Sequence, residues 1–193
     1  MTVTAPLVHP SASRLRTAAP LGMRILRLAL AVALLALGAT AVLFESTLRV
    51  TESRVLASLL QHVFGADAVA AWSAGHPAVA YQLGDAWLAV RITVQCSIAL
   101  YLGPLSALAG LVLLSPRIRI RRVLSAAVVG MVALVALNQL RLVLIAFAYG
   151  AGGMDAFNWM HGPIGSALML VGIAGVLVAF FAVCLKRRRP ARR

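Results

Sequence analysis

Apolar residues run almost unbroken through four stretches of the chain, about 25–44, 97–114, 123–148 and 164–185. At a helical rise of 1.5 Å per residue each can cross roughly 30 Å of hydrocarbon, the second only just. The first follows a basic flank, as a signal peptide would. It is long for the apolar core of one and lacks a small-x-small exit, so it reads as a retained helix. Between the first two stretches, residues 45–95 form the one sizeable polar segment. Within it Leu48, Val55, Leu56, Leu59, Leu60 and Val63 recur at helical spacing, which predicts an amphipathic helix lying on the membrane surface. Residues 65–77 read as a looser stretch. Two runs, 79–83 and 86–94, flank Gly84-Asp85 and predict a β-hairpin that hands the chain to Cys96.

The expected fold is therefore an all-α membrane protein. It has four transmembrane helices, with an extracytoplasmic amphipathic helix and a short β-hairpin between the first two. A single integral membrane domain covers 21–185. Residues 1–20, rich in Ala, Pro, Ser and Thr, predict a disordered cytoplasmic leader, and 186–193 a basic cytoplasmic tail.

Composition supports this picture. The chain is 62% hydrophobic, where a soluble domain is nearer roughly half, and its mean hydropathy is positive. Only five acids oppose 18 basic residues. No interleaving of aromatic with basic residues accompanies that excess, so it implies the bilayer and not nucleic acid as partner. Its placement sets the topology. Arg14, Arg16, Arg24 and Arg27 precede the first stretch, and Arg117, Arg119, Arg121 and Arg122 lie between the second and third. Lys186, Arg187, Arg188, Arg189, Arg192 and Arg193 follow the fourth. By the positive-inside rule these segments are cytoplasmic. Glu45, Glu52, Asp67, Asp85 and Asp155, all the acids, fall in the two opposite loops. The expectation is a multi-pass plasma-membrane protein with both ends in the cytoplasm.

Three residues stand out against that background. Arg141 falls inside the third stretch, where a central arginine costs at least roughly 2.5–3.5 kcal/mol on insertion scales. Helical side chains lean toward the N-terminus, here deeper into the membrane, so snorkelling does not relieve it. Arg141 needs a hydrated cavity or an internal partner, and Asn138, one turn earlier, is placed to orient it. A purely structural arginine would pair with Asp155 or with backbone carbonyls. Cys96 sits where the hairpin meets the second membrane helix, whose free N–H groups and dipole suit a nucleophilic sulfur. Cys184 lies near the other face, roughly 30 Å away, so the two cysteines cannot form a disulfide. His161 precedes Gly162-Pro163 at the outer end of the fourth stretch. His62 and His76 are rivals for its role but have no other reactive groups nearby in sequence. Thiol, guanidinium and imidazole together supply the nucleophile, the oxyanion stabiliser and the acid/base of acyl transfer.

In these residues the chain resembles the exosortase/archaeosortase family of membrane-embedded cysteine transpeptidases. Cys96-Ser97, Asn138-Gln139-Leu140-Arg141 and His161 match the family's Cys, Asn-x-x-Arg and His positions in order and spacing, over about residues 78–185. Ile98 stands where a glycine is usual. The resemblance implies an active site facing outward with Cys96, Arg141 and His161 catalytic and Asn138 in support. It implies substrate proteins that end in a recognition motif, one membrane helix and a basic tail, and no metal or organic cofactor. Two other readings compete. Cys96, His161, Met154 and Met160 are soft ligands that could hold copper at the outer face. Alternatively, Gly103, Ser106, Gly110, Ser166, Gly172 and Gly175 could pack a structural subunit against a larger partner.

Overall fold

The computed structural model describes residues 21–186; the expected leader, 1–20, and all but the first residue of the tail lie outside them. The chain is mostly helical with one small sheet. In order, the elements are α1 (Leu21–Leu43), α2 (Glu45–His62), β1 (Ala68–Ser73), β2 (His76–Leu83), β3 (Ala86–Arg91), α3 (Ala99–Leu113), α4 (Ile120–Trp159) and α5 (Gly165–Leu185). A single 3₁₀ turn, Val94–Cys96, precedes α3, and a wide π-type turn, Met160–Ile164, joins α4 to α5. Among the described residues two helical segments are long and apolar enough to cross a membrane, Leu21–Leu43 and Ile120–Leu185; Ala99–Leu113 is shorter.

The second of these is not straight. Gly152 and Gly153 leave helical geometry, and Gly153 has φ of 61°, a conformation that glycine adopts without a Cβ clash. This break and the wide turn reverse the chain, so that α5 packs back along α4. α1 packs along α3 through small residues. A Cβ on Gly38 would lie 2.9 Å from the Gly103 carbonyl oxygen, and one on Gly110 would lie 3.0 Å from that of Ala31. Ser106 Oγ donates to the Leu34 carbonyl across the same contact at 2.7 Å. Gly172, likewise, abuts Leu137 between α5 and α4. Gly103, Gly110 and Gly172 are thus spent on contacts within the chain, whereas Ser166 and Gly175 are exposed.

The sheet is an antiparallel meander in the order β1-β2-β3. The β2–β3 hairpin has the expected turn, with Gly84 at φ 62° between paired Leu83 and Ala86. β1 corrects the all-α expectation further: residues read as loose form a third strand. Its sequence, Ala-Val-Ala-Ala-Trp-Ser, is poor in the β-branched residues that mark a strand. Pairing is imposed by the turn instead, where Ala74 and Gly75 both have positive φ, the pattern of a type I′ hairpin.

A second correction concerns α2. Part of its apolar stripe, Leu56 and Leu60, is buried against protein, while Val55 and Val63 of the same stripe stay exposed. Leu56, Ala57 and Leu60 pack with Val79, Tyr81 and Val90 of the sheet, with Ile92 just past it, and with Leu142, Val143, Ile145 and Ala146 of α4. A sheet this small cannot cover its own apolar face, and α2 supplies the cover. Tyr81 Oη donates to the Ala146 carbonyl at 2.7 Å and ties this layer to α4. A separate core joins α1, α3, α4 and α5 through Ala31, Leu105, Leu113, Val123, Leu134 and Phe180.

The basic segments converge at one end. Arg27 of α1 donates to the carbonyls of Leu113, Ser115 and Ile118 at 3.0, 2.7 and 2.8 Å, capping the C-terminus of α3. Arg122 donates to the Lys186 carbonyl just past α5. α2, the sheet, Cys96 and the α4–α5 turn occupy the opposite end.

Candidate functional site

Cys96 closes the 3₁₀ turn. Its own N–H bonds the Thr93 carbonyl at 2.9 Å, and the Thr93 hydroxyl faces its sulfur at 3.7 Å. The residue is 2% exposed. From 65 positions further along, His161 arrives in the wide turn and sets Nδ1 3.6 Å from the sulfur. Phe157 stacks on the imidazole with ring centroids 5.3 Å apart and planes 5° from parallel, fixing its orientation. Burial, and then the nearby Arg141 cation, hold His161 below the ordinary histidine value. Both causes favour the neutral ring. In the tautomer that carries its proton on Nε2, Nδ1 would face the thiol as an acceptor.

Arg141 is 4% exposed. Its Nη1 and Nη2 donate to the carbonyls of Gln95 and His161, at 3.4 and 3.1 Å. It thus bridges the segment carrying the sulfur to the residue carrying the imidazole, through the backbone carbonyls of the structural alternative. Asp155 is not its partner: it is exposed, and among the described residues the ion pair formed is Arg49–Glu45. Nε of Arg141 is buried without a hydrogen-bond partner. Room for the guanidinium comes from Gly165, where a Cβ would lie 2.8 Å from that Nε.

Asn138 behaves differently from expectation. It does not orient Arg141. Its Nδ2 donates to the Cys96 carbonyl at 3.0 Å and to Glu52 Oε1 at 2.7 Å. Glu52, from α2, also accepts from the Ile98 N–H at 2.8 Å, while the Ala99 N–H reaches Ser97 Oγ at 3.3 Å. The amides opening α3 are therefore taken by side chains and not left to the sulfur. Burial raises the Glu52 carboxyl from its ordinary 4.5 to about 7; the Ile98 amide, Asn138, Ser97 and Arg49 hold it back from rising further.

All four sequence-predicted residues thus meet at one place. His62 is exposed and bonds Ser58; His76 is exposed, facing Arg49. Met154 is exposed, while Met160 packs against the core that contains Cys96. Among the described residues no three His, Cys, Asp or Glu side chains cluster as metal ligands would. Sequence reasoning missed Glu52, although a signal existed. Glu52 falls four residues after Leu48 and four before Leu56, a carboxylate set on the apolar stripe of α2. Gln95 and Gly165 act through backbone or through absence of a side chain and left no such mark.

No protein-family model matches the chain, and neither a curated protein nor a solved structure matches it.

Proposed function

We propose that the chain is a membrane-embedded cysteine transpeptidase of the exosortase/archaeosortase kind, acting at the outer face on the C-terminal sorting signals of exported proteins. The observation that carries this reading is the 3.6 Å approach of Cys96 Sγ to His161 Nδ1, with Arg141 tying the backbone of Gln95 to that of His161. In the reaction, Nδ1 takes the thiol proton as sulfur attacks the carbonyl carbon of the recognition motif. The oxyanion of the tetrahedral intermediate is met by guanidinium N–H groups beyond the two bonded to carbonyls. Collapse breaks the C–N bond, and His161 delivers its proton to the leaving amine. Water or an acceptor amine then attacks the thioester and regenerates the thiol. Cys96 is covered, so acylation requires local opening, for which the non-helical Gly152-Gly153 joint is suited.

The same reading takes α1, α3, α4 and α5 as four membrane spans, with the basic end cytoplasmic. Exposed Leu28, Val32, Val128, Val129, Val132, Leu170, Val171 and Val178 suit lipid contact, and exposed Trp72, Trp87 and Trp159 suit the outer interface. α3 is short, but the backbone ahead of it, where Ser97 breaks from the 3₁₀ turn between Cys96 and Ile98, is buried in protein. That is the condition under which such backbone is tolerated at membrane depth.

The test is expression with candidate substrates bearing a C-terminal membrane helix and basic tail. Native protein is expected to form a thioester at Cys96 that hydroxylamine releases, and Cys96→Ala to process nothing. Normal processing by Cys96→Ala would refute the reading.

A further inference from the structure

Glu52 is a carboxylate that the proposed chemistry does not use, 4% exposed at the junction of α2, α4 and the segment leading into α3. Burying a carboxylate is costly unless hydrogen bonds compensate. Here only one oxygen is compensated: Oε1 accepts from Ile98 N–H and Asn138 Nδ2, and Oε2 has no partner. Capping α3 would need no more than a serine or asparagine side chain. What distinguishes the arrangement is its target. The bonds of Glu52 and of the Asn138 amide end on the two sides of the nucleophile, at the Cys96 carbonyl and the Ile98 amide.

We propose that Glu52 is a positioning residue for Cys96. Through Ile98 N–H directly, and through Asn138 to the Cys96 carbonyl, it fixes the peptide from which the sulfur projects and so holds Sγ on His161. This rests on the reading of Cys96 and His161 as a nucleophile–base pair. Glu52 itself touches neither sulfur nor imidazole. Arg49, on its own helix, is turned away from the pair: it bonds Glu45 at 2.7 and 2.9 Å and approaches the Ile92 carbonyl at 3.4 Å.

The test needs no substrate. In full-length protein in membranes, with Cys184→Ala removing the second thiol, the rate of Cys96 alkylation by iodoacetamide is measured. Glu52→Ala is expected to slow it by roughly tenfold, as a thiol loses alignment with its base. Glu52→Gln keeps an accepting oxygen for both donors and is expected to restore most of the rate. Asn138→Ala cuts only the route to the Cys96 carbonyl and should slow alkylation by less, and the double variant should be no slower than Glu52→Ala, which on the proposal cuts both routes. A site merely loosened would admit reagent faster, and removal of a nearby negative charge would likewise speed reaction. Alkylation in Glu52→Ala that is unchanged or faster therefore overturns the proposal, as does a Glu52→Gln variant as slow as Glu52→Ala. A failure to trap the thioester would count against the transpeptidase reading and leave this measurement standing.

Discussion

A carboxyl held at about 7 inside the protein makes stability depend on pH in a calculable direction. The unfolded chain returns Glu52 to its ordinary 4.5, so the folded state is the one that prefers the proton. The contribution is fully present below 4.5 and disappears as pH rises through 7, a span of about 3 kcal/mol. Glu52→Gln carries no charge at any pH. The detergent-solubilised native protein is therefore expected to lose more thermal stability between pH 5 and pH 8 than Glu52→Gln does. Parallel melting profiles for the two proteins would show that Glu52 is not held in this way. At this scale much of the candidate site is legible in sequence: Cys96, Arg141 and His161 are residues whose chemistry is out of place in an apolar run. Asn138 is also visible, but its partners are not, because spacing along one helix cannot reveal a carboxylate delivered from another.

At the level of elements, the long apolar helices announce themselves and the small layer does not. β1 has a composition that fits helix or loop as well as strand, and the positive φ at Ala74 and Gly75 decides between them. α2 has a visible stripe, yet periodicity is the same whether the partner is lipid or protein; the adjoining sheet takes Leu56 and Leu60 of it and leaves Val55 and Val63 exposed. Glycine shows the same limit. Gly38 and Gly175 look alike in sequence, but a Cβ on the first would press on the Gly103 carbonyl while the second has nothing within 4 Å. Gly38→Ala is expected to separate α1 from α3 and cost about 1–3 kcal/mol, as overpacking does. Gly175→Ala should be neutral or mildly stabilising, since alanine favours helix. Melting temperatures in detergent check the pair, and equal effects would mean that the α1–α3 contact is not as close as described.

At the scale of the whole molecule, charge and depth organise the chain. Arg27 binds the loop after α3, Arg122 binds the end of α5, and the Cys96–His161 pair lies at the far end. If the basic end is cytoplasmic, a cysteine replacing exposed Asp85 should react with an impermeant maleimide added to intact cells. One replacing exposed Arg117 should react only after lysis. Labelling of the Arg117 position from outside would invert the topology and put the candidate site in the cytoplasm.

Sequence alone determined the apolar helices, the asymmetry of charge, the hairpin at Gly84-Asp85 and the residues of the candidate site. Each of these is a property of neighbouring residues, written in period, composition or sign. The tertiary structure decided what those groups touch: Arg141 on two backbone carbonyls, Asn138 shared between Glu52 and Cys96, and α2 turned onto the sheet. The hydrogen bonds among these contacts join residues from 20 to 86 positions apart, and side-chain chemistry states what a group needs without stating which distant segment supplies it.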